Sequence, residues 1–291
     1  MVPWGNESEA SGTDMVTVDL HAHTTASDGQ LTPTELVKAA AAAGVGVLAV
    51  TDHDTTRGVA EALAAAWEVG IRLIPGVELS AEGAPGKCHL LGLGIDPEYA
   101  PLNDTLATIS EARRVRNGQI AERLQRLGVP VTLEEVTAAA PHGANVGRPH
   151  FAAVLVARGA ARDFKDAFDR YLSDEGPAYV EKQTLTSAEA IRLVHEAGGR
   201  CFLAHPGLVR LAEQETPETR LRALKALGID GLEAYYSKHS PIQTEQFLRL
   251  AQKLDLLVTG GSDFHGPAVS EARLGAIVDG QPLPIDRLSW L

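Results

Sequence analysis

Residues 45–54 read VGVLAVTDHD, an apolar run that ends abruptly in four polar residues. A run of this kind, interrupted only by glycine, is typical of a strand that is buried on both faces of a parallel sheet. Polar residues at its end are poor core material, so Asp52, His53 and Asp54 are candidates for a functional site. For Asp52 and Asp54 a second interpretation stays open, because an acidic side chain here also suits the cap of a following helix.

The same order of strand and helix recurs on both sides of this stretch. We predict strands at 16–20, 45–50, 71–77, 88–95, 201–204, 229–234 and 256–259, and helices at 32–44, 59–69, 187–197, 217–227 and 242–254. Repeated strand–helix units favour a parallel sheet with right-handed crossovers. About seven such units predict an α/β fold in which the sheet closes, or nearly closes, into a barrel.

This rhythm breaks between residues 100 and 180, where helices are predicted at 110–127, 131–140 and 151–172 without a convincing strand. We therefore expect residues 100–180 to form an inserted helical subdomain that caps the substrate. The barrel would then consist of residues 15–99 and 181–285. Residues 1–14 are polar and acidic, unlike a signal peptide, and we expect a disordered tail there.

The composition narrows the class of partner. The chain has 26 basic and 38 acidic residues, a net charge of −12, so it has no general attraction for a long nucleic-acid duplex, and local cations must hold any anionic substrate. Cys88 and Cys201 lie in apolar runs, which indicates a reduced, cytoplasmic protein. No window approaches the roughly 20 apolar residues of a membrane span, so we expect no membrane partner.

Histidines and carboxylates gather at the predicted strand ends. His21 and His23 alternate on an extended segment, so both imidazoles point the same way and can share one ion. Glu78 beside an apolar strand would be costly to bury alone, but it is well compensated if it bridges two cations. For Asp28 the role of a simple turn former stays open. The nine candidate metal ligands are His21, His23, Asp28, His53, Glu78, His89, His205, Asp263 and His265.

Nine ligands are too many for one tetrahedral zinc ion and suit two or three ions. Imidazole and carboxylate groups without thiolate favour Mn²⁺, which we expect, with Fe²⁺ or Zn²⁺ as alternatives. A multinuclear site is the usual means of holding both the attacking and the leaving oxygen of a phosphoryl displacement. The ligand set therefore predicts a metal-dependent phosphoesterase.

The order of these motifs resembles the PHP (polymerase and histidinol phosphatase) family. The motifs are HAH at 21–23, SDG at 27–29, TDH at 51–53, GVE at 76–78, CHLLG at 88–92, AHP at 204–206 and SDFH at 262–265. The resemblance implies a distorted (β/α)7 TIM-like barrel with two or three metals at its mouth. It implies one ion held by His21, His23, Glu78 and Asp263, a second by Glu78, His89 and His205, and Asp28, His53 and His265 at a third ion or at the substrate phosphate.

Two features of the inserted segment bear on the substrate. Arg113, Arg116 and Asn117 share one face of a predicted helix, so two guanidinium groups can meet an anion together. A solvated basic face is the alternative interpretation. In GRPH, residues 147–150, proline stiffens the backbone between Arg148 and His150, and we regard this pair as a candidate phosphate grip.

The insert, GRPH and the later YYSKH, residues 235–239, resemble a PHP subgroup of stand-alone nucleotide phosphatases. That resemblance implies action on the 3′-phosphate of nucleoside 3′,5′-bisphosphates, on AMP-like esters or on short 5′-phosphorylated RNA. It implies that Arg148, His150 and His239 contact substrate phosphate, although His239 also fits as the neighbour of a helix cap. His142 is a further candidate, and His195 is expected to be a surface histidine.

The resulting hypothesis is hydrolysis of a nucleotide or short oligonucleotide by a monomeric enzyme. We expect His205, His265 and Asp28 to serve catalysis, with His205 or His265 protonating the leaving alkoxide. Two alternatives remain. One is a histidinol-phosphate phosphatase on the same barrel, which would not need the insert, and the other is a metal-stabilised accessory module without catalytic activity.

Overall fold

The structure, a computed structural model, describes residues 16–83, 86–141, 144–267 and 271–291. The predicted tail at 1–14 and His142 lie outside these ranges. The strands are β1 (Thr17–Asp19), β2 (Val45–Val50), β3 (Arg72–Glu82), β4 (Cys88–Leu93), β5 (Leu185–Thr186), β6 (Arg200–Leu203), β7 (Gly231–Tyr236), β8 (Leu257–Gly261) and β9 (Leu283–Pro284). The α-helices are α1 (Pro33–Ala42), α2 (Val59–Val69), α3 (Ala100–Arg126), α4 (Leu133–Ala139), α5 (Arg148–Ala157), α6 (Phe164–Ala167), α7 (Ser187–Glu196), α8 (Pro217–Ala226) and α9 (Pro241–Leu254).

Seven of the described strands form the wall of a barrel, in the order β8-β7-β6-β4-β3-β2-β1. The two ends of this sheet meet where Leu20 N–H donates to Gly260 O over 3.1 Å and where Ala22 pairs with Phe264. The short strands β5 and β9 pair with β3 and β1 and lie outside the seven-stranded path. The predicted TIM-like barrel of about seven units is confirmed.

Strand β4 runs antiparallel to both β3 and β6, so the prediction of an all-parallel sheet is wrong at this strand. Only residues 83–87 connect β3 to β4, and a parallel crossover needs about a dozen residues or more. The short connection therefore reverses the chain. As a result, β4 begins at the end of the barrel where its neighbours β3 and β6 finish.

Side-chain alternation along the strands divides the barrel into an interior and an outer layer. Val47, Leu91 and Phe202 belong to the cluster that fills the interior. Leu79 and Leu90 face outward and pack in a second cluster with helices α7, α8 and α9. The interior cluster closes the barrel beneath the mouth, so polar side chains at the mouth stand on an apolar floor.

The predicted helical insertion contains α3 to α6, and its helices pack around a cluster of their own that includes Ile120, Phe151 and Leu155. The predicted helix at 151–172 is wrong, because the chain breaks after α5 at Gly159 (φ +69°) and resumes as α6 and a π-helix over Phe168–Leu172. Helix α3 starts at Ala100 and not at residue 110 as predicted. Throughout the described ranges, no helix is both long enough and apolar enough to cross a membrane.

Candidate metal centre

The nine predicted ligands converge at the mouth of the barrel. His89 lies near the start of β4, which faces the mouth only because β4 is reversed. Glu78 does not end its strand as predicted, since β3 continues to Glu82. Its side chain points into the barrel, because it lies four residues after Ile74 on the same strand and Ile74 belongs to the interior cluster. The remaining ligands follow the ends of β1, β2, β6 and β8, and they are His21, His23, Asp28, His53, His205, Asp263 and His265.

The most deeply buried group is formed by His21, His23, Glu78 and Asp263, whose ligand atoms all lie within 4.8 Å of one another. The Nε2 atoms of both histidines lie 3.3–3.4 Å from Glu78 Oε2 and from Asp263 Oδ1. Two imidazoles and two carboxylates thus face a common point. This is the set that the family resemblance implies for one ion.

A second group contains Asp28, His53 and His265 together with His23. Asp28 stands between the rings, with Oδ1 3.5 Å from His265 Nε2 and Oδ2 3.9 Å from His53 Nε2. His23 turns its Nδ1 toward this group, 3.8 Å from Asp28 Oδ1. Because a neutral imidazole carries a single lone pair, His23 can ligate an ion through only one of its nitrogens at a time.

Glu78 also organises a third group, with His53 and His89. Its Oε1 lies 2.9 Å from His89 Nδ1 and 2.9 Å from His205 Nε2, while its Oε2 lies 2.9 Å from His53 Nδ1. The implied set Glu78, His89 and His205 is therefore together, with His53 as an additional neighbour. Glu78 is the single carboxylate common to the first and third groups.

The residues fit metal ions because several buried ligand atoms have no hydrogen-bond partner among the described residues. These atoms are His21 Nε2, His23 Nδ1 and Nε2, and His205 Nδ1. Buried polar atoms are rarely left unpaired in folded proteins. Nitrogen and oxygen donors at this density suit first-row divalent cations such as Mn²⁺, Fe²⁺ or Zn²⁺.

The protonation states at the mouth reflect this crowding. Burial, and then the neighbouring His265 and His53, lower the pKa of His23 to about 3, so the ring is neutral. Burial alone would lower the pKa of His53, but Glu78 and Asp28 outweigh it and raise the value to about 9. A cation bound at His53 must displace a proton, so binding there is linked to pH.

Two buried residues that were not predicted as site residues, Glu233 and Tyr236, hold the ligands in place. Glu233 Oε1 lies 3.0 Å from His21 Nδ1, and its Oε2 accepts the backbone N–H of His205 at 2.7 Å. Tyr236 donates its hydroxyl to Asp263 Oδ2 at 2.9 Å. Glu233 is fully buried in β7, so an acidic residue inside the apolar run GLEAYY was the signal that could have identified it.

Backbone strain also marks the mouth. His205 (φ +28°), Asp263 (φ +56°) and Asp54 (φ +50°) are non-glycine residues in or near the left-handed region. Such conformations cost about 1–3 kcal/mol each and persist where the surroundings impose them. The bond from His205 N–H to Glu233 is one such restraint.

Asp52 and Asp54 do not cap a following helix, since the N-cap of α2 is Gly58 and it has no side-chain hydrogen bond. Asp52 accepts hydrogen bonds from Thr24 and Ser27 and so fixes the loop that carries Asp28. Asp54 pairs with Arg113 and accepts from Lys182 Nζ at 2.7 Å.

A cleft of about 510 Å³ opens beside His89 and His205. Arg148 and Lys182 line it, and Tyr179 contributes an aromatic face. Arg148 donates to Leu172 O at 2.9 Å and to Asp174 Oδ1 at 2.6 Å, which holds its guanidinium at the rim. The cleft thus joins the ligand cluster to positively charged side chains.

Not all predicted substrate residues face this cleft. His150 Nδ1 accepts the N–H of Gly147 at 3.1 Å, and His150 lies within electrostatic range of Asp28. Both ring nitrogens of His239 are engaged, Nε2 with Gly207 N–H and Nδ1 with Ala234 O, each at 3.1 Å. His239 therefore has no free ring nitrogen for phosphate.

The two remaining candidates on α3 are buried and not on a solvated basic face, since Arg116 is 6% and Asn117 is 2% exposed. Asn117 donates to Val146 O at 2.9 Å. His195, expected at the surface, is 39% exposed and lies 2.7 Å from Asp230.

The barrel and its ligand cluster define the chain as a metal-dependent phosphoesterase, a hydrolase of phosphate esters. A family model described as the PHP domain matches residues 19–184. The chain belongs to the PHP domain family, as its motifs indicated.

Similar proteins span nearly its whole length. The 5′-3′ exoribonuclease Rnm of Escherichia coli (strain K12) is 40% identical over 254 residues, 87% of this chain and 86% of that protein. A 3′,5′-nucleoside bisphosphate phosphatase of Chromobacterium violaceum is 35% identical over 269 residues, 92% of this chain and 94% of that protein. A solved structure from Bifidobacterium adolescentis, described as a metal-dependent phosphoesterase, superposes with a TM-score of 0.82 at 33% identity, covering 94% of this chain and 96% of that one.

Proposed function

We propose that this enzyme hydrolyses nucleotide phosphate esters, chiefly the 3′-phosphate of nucleoside 3′,5′-bisphosphates, and also AMP-like esters or short 5′-phosphorylated RNA. The observation that carries the proposal is that His89 and His205 belong to the ligand cluster and also line the cationic cleft. The names of the two bacterial relatives support it, because one is a 5′-3′ exoribonuclease and the other is a 3′,5′-nucleoside bisphosphate phosphatase.

Two or three ions, Mn²⁺ in our proposal and Fe²⁺ or Zn²⁺ as alternatives, would be held by the nine ligands. When bound, they supply positive charge that polarises the phosphate and lowers the pKa of water. Glu233 and Tyr236 orient His21 and Asp263 toward the ions.

In the proposed reaction, water attacks phosphorus and the bond from phosphorus to the ribose O3′ breaks. The departing O3′ takes a proton and becomes a hydroxyl group, so the products are a nucleoside 5′-monophosphate and inorganic phosphate. We assign the proton donor to His205 or His265 and place Asp28 beside the reacting phosphate.

Arg148, at the rim of the cleft, neutralises the oxygens of the substrate phosphate. His150, which lies close to Asp28, also contacts this phosphate. The contacts of His239 support a different role from the one implied by resemblance. Its bonds to Gly207 and Ala234 suggest that it holds the turn after His205, so we propose it as a positioning residue.

We further propose that residues 100–180 act as a cap over the barrel formed by 15–99 and 181–285, and that the enzyme works as a monomer in the cytoplasm. Two free, buried cysteines, Cys88 and Cys201, agree with a reducing compartment. The net charge of −12 argues against binding of long duplexes.

The decisive experiment measures metal content and then Mn²⁺-supported phosphate release from four substrates. They are adenosine 3′,5′-bisphosphate, AMP, histidinol phosphate and a 5′-phosphorylated oligoribonucleotide, with released mononucleotide also scored for the last. We expect the bisphosphate to be turned over with the highest kcat/KM. Preference for histidinol phosphate would overturn the substrate assignment, and inactivity on all four would favour the accessory module.

A further inference from the structure

Asn145, in the helical insertion, is buried and directs three polar groups at three different segments. It lies between α4 and α5 and is 5% exposed. Its backbone N–H donates to Ala26 O and its Nδ2 donates to His53 O, each at 3.0 Å. Its Oδ1 accepts the hydroxyl of Ser110, in α3, at 3.2 Å. One residue of the insertion therefore joins α3 to two loops at the mouth of the barrel.

Both loops carry metal ligands, and we call Asp28, His53 and His265 the loop ligands. Asp28 lies in the connection from β1 to α1, and His53 follows the end of β2. The same connection is tied to the third ligand, because Gln30 N–H donates to His265 O at 2.8 Å. Functional residues on loops depend on the surrounding scaffold for their position. The contacts of Asn145 therefore bear on all three loop ligands.

The sheet itself fixes several ligands of the other two groups. Glu78 lies within β3 and His89 within β4, and the ladder between these strands sets their backbone positions. Glu233, in β7, orients the ring of His21. The geometry of those groups thus depends on the barrel, whereas that of the loop ligands depends on the insertion as well.

A second contact from the insertion reaches the residue after His53. Arg113, in α3, pairs with Asp54, and both side chains are buried. The insertion thus holds two consecutive residues, His53 through its backbone carbonyl and Asp54 through its carboxylate. Removal of the Asn145 side chain would release the ligand residue and leave its neighbour anchored, so the fold should survive the change.

We propose that Asn145 is a positioning residue for a third metal ion, which the loop ligands hold. This inference rests on the proposed function, and it makes the insertion a part of the metal centre in addition to a cap over it. Asn145 contacts neither the ion nor the substrate, and it acts by holding His53 and Ala26 against α3. Without its side chain the loop ligands are all present but less firmly held, so the third ion binds more weakly.

The test compares Asn145→Ala with Asn103→Ala by titrating the chelator-treated proteins with Mn²⁺ alone and measuring free Mn²⁺. Asn103 is the matched control, because it also lies in the insertion, accepts the hydroxyl of Thr56 and donates to Pro97 O, each at 2.8 Å. Neither of these partners is a predicted metal ligand.

Wild type and Asn103→Ala should bind three ions, and Asn145→Ala should bind two of them normally and the third about 10- to 100-fold more weakly. Ser110→Ala removes the other end of the contact and should weaken the same ion by a smaller factor. Wild type that binds only two ions would overturn the proposal, and so would three ions bound to Asn145→Ala with the affinities of wild type.

Turnover of adenosine 3′,5′-bisphosphate separates a positioning role from a structural one. Because the loop ligands are intact in Asn145→Ala, Mn²⁺ at about 100-fold above the concentration that saturates wild type should restore its phosphate release. Turnover that Mn²⁺ does not restore would refute the proposal. Loss of all three ions, with a lower unfolding temperature of the metal-free variant, would also refute it and make Asn145 a structural residue. Wild type that binds three ions but releases no phosphate would refute the proposed function instead.

Discussion

Glu233 Oε1 lies 3.0 Å from His21 Nδ1, and both side chains are fully buried. The carboxylate fixes the ring so that Nε2 faces Glu78 and Asp263. Its second oxygen restrains the backbone of His205. One residue that binds no ion in our assignment thus orients two that do.

Replacing Glu233 by glutamine should weaken metal binding by about 10- to 100-fold, because an amide is a poorer acceptor and no longer fixes the ring of His21. Metal titration of the chelator-treated protein measures the effect. Glu245→Gln, at a glutamate that is 62% exposed, serves as control. Equal affinity of Glu233→Gln and wild type would show that the contact has no influence on the ions.

His21→Ala should lose bound metal and phosphate release together, since the most buried ligand group loses an imidazole whose Nε2 has no described hydrogen-bond partner. Elemental analysis and a turnover assay on the same sample provide the measurement. His195→Ala, at a half-exposed histidine paired with Asp230, should retain both. A metal-replete and active His21→Ala enzyme would contradict the assignment of the centre.

Asp54→Asn should lower the free energy of unfolding by about 3 kcal/mol or more, because Arg113 and Lys182 would be left without their buried carboxylate. Urea denaturation measures the change. In Glu111→Gln the lost pair with Arg114 is exposed, and the change should stay below about 1 kcal/mol. Similar losses in the two variants would mean that the Asp54 cluster contributes no more than a surface pair.

Asp54 also predicts a dependence of stability on pH. Burial alone would raise the pKa of Asp54, but Lys182 and Arg113 outweigh it and hold the pKa well below its ordinary value. A carboxyl group of this kind stabilises the fold above its unfolded pKa, and this contribution is lost as pH falls toward the folded pKa. From about pH 5 to pH 2, wild type should therefore lose stability more steeply than Asp54→Asn.

Acid unfolding followed by circular dichroism measures both slopes, with chelator present so that release of metal does not contribute. Parallel curves for the two proteins would contradict the linkage to Asp54.

Gly261→Ala should displace His21 and reduce metal content. A Cβ at Gly261 would lie 2.2 Å from His21 Cβ and 2.5 Å from His21 N, and overpacking of this kind costs about 1–3 kcal/mol. Gly118→Ala is the matched control, because the nearest atom to its Cβ would be in Leu133 at 4.0 Å and alanine favours the interior of α3. Gly261→Ala should lower both the free energy of unfolding and the metal content, and Gly118→Ala should lower neither. A metal-replete Gly261→Ala protein would disprove the steric argument.

Most of the barrel was predictable because its signals are local. The run VGVLAV at 45–50 carries its own burial pattern, and polar residues placed directly after such runs reach the mouth in any barrel with this strand order. The order H-x-H, T-D-H and S-D-x-H needed no tertiary information. The ligands within each motif, such as His21 with His23 and Asp263 with His265, were predictable because they are close together in the sequence.

What escaped prediction depends on the path of the chain in space. The direction of β4 follows from the length of residues 83–87, which strand periodicity does not report. Lys182 lies in an irregular segment before β5 and meets Asp54, 128 residues away, only after folding. Glu233 stands out as an acidic residue in an apolar strand, but its partners His21 and His205 are distant in the sequence, so its positioning role depends on the folded chain.

The reversal of β4 has a consequence for how this enzyme can change its specificity. A crossover helix would return the chain to the far end of the barrel, whereas the direct connection from β3 to β4 keeps it at the mouth, where Lys87 lines the cleft just ahead of His89. Changes of length or composition in residues 83–87 would reshape the entrance while the ladder from Ala81 and Cys88 onward stays in register. Substrate preference can therefore diverge through the short connection between β3 and β4 without a change in the ligand cluster.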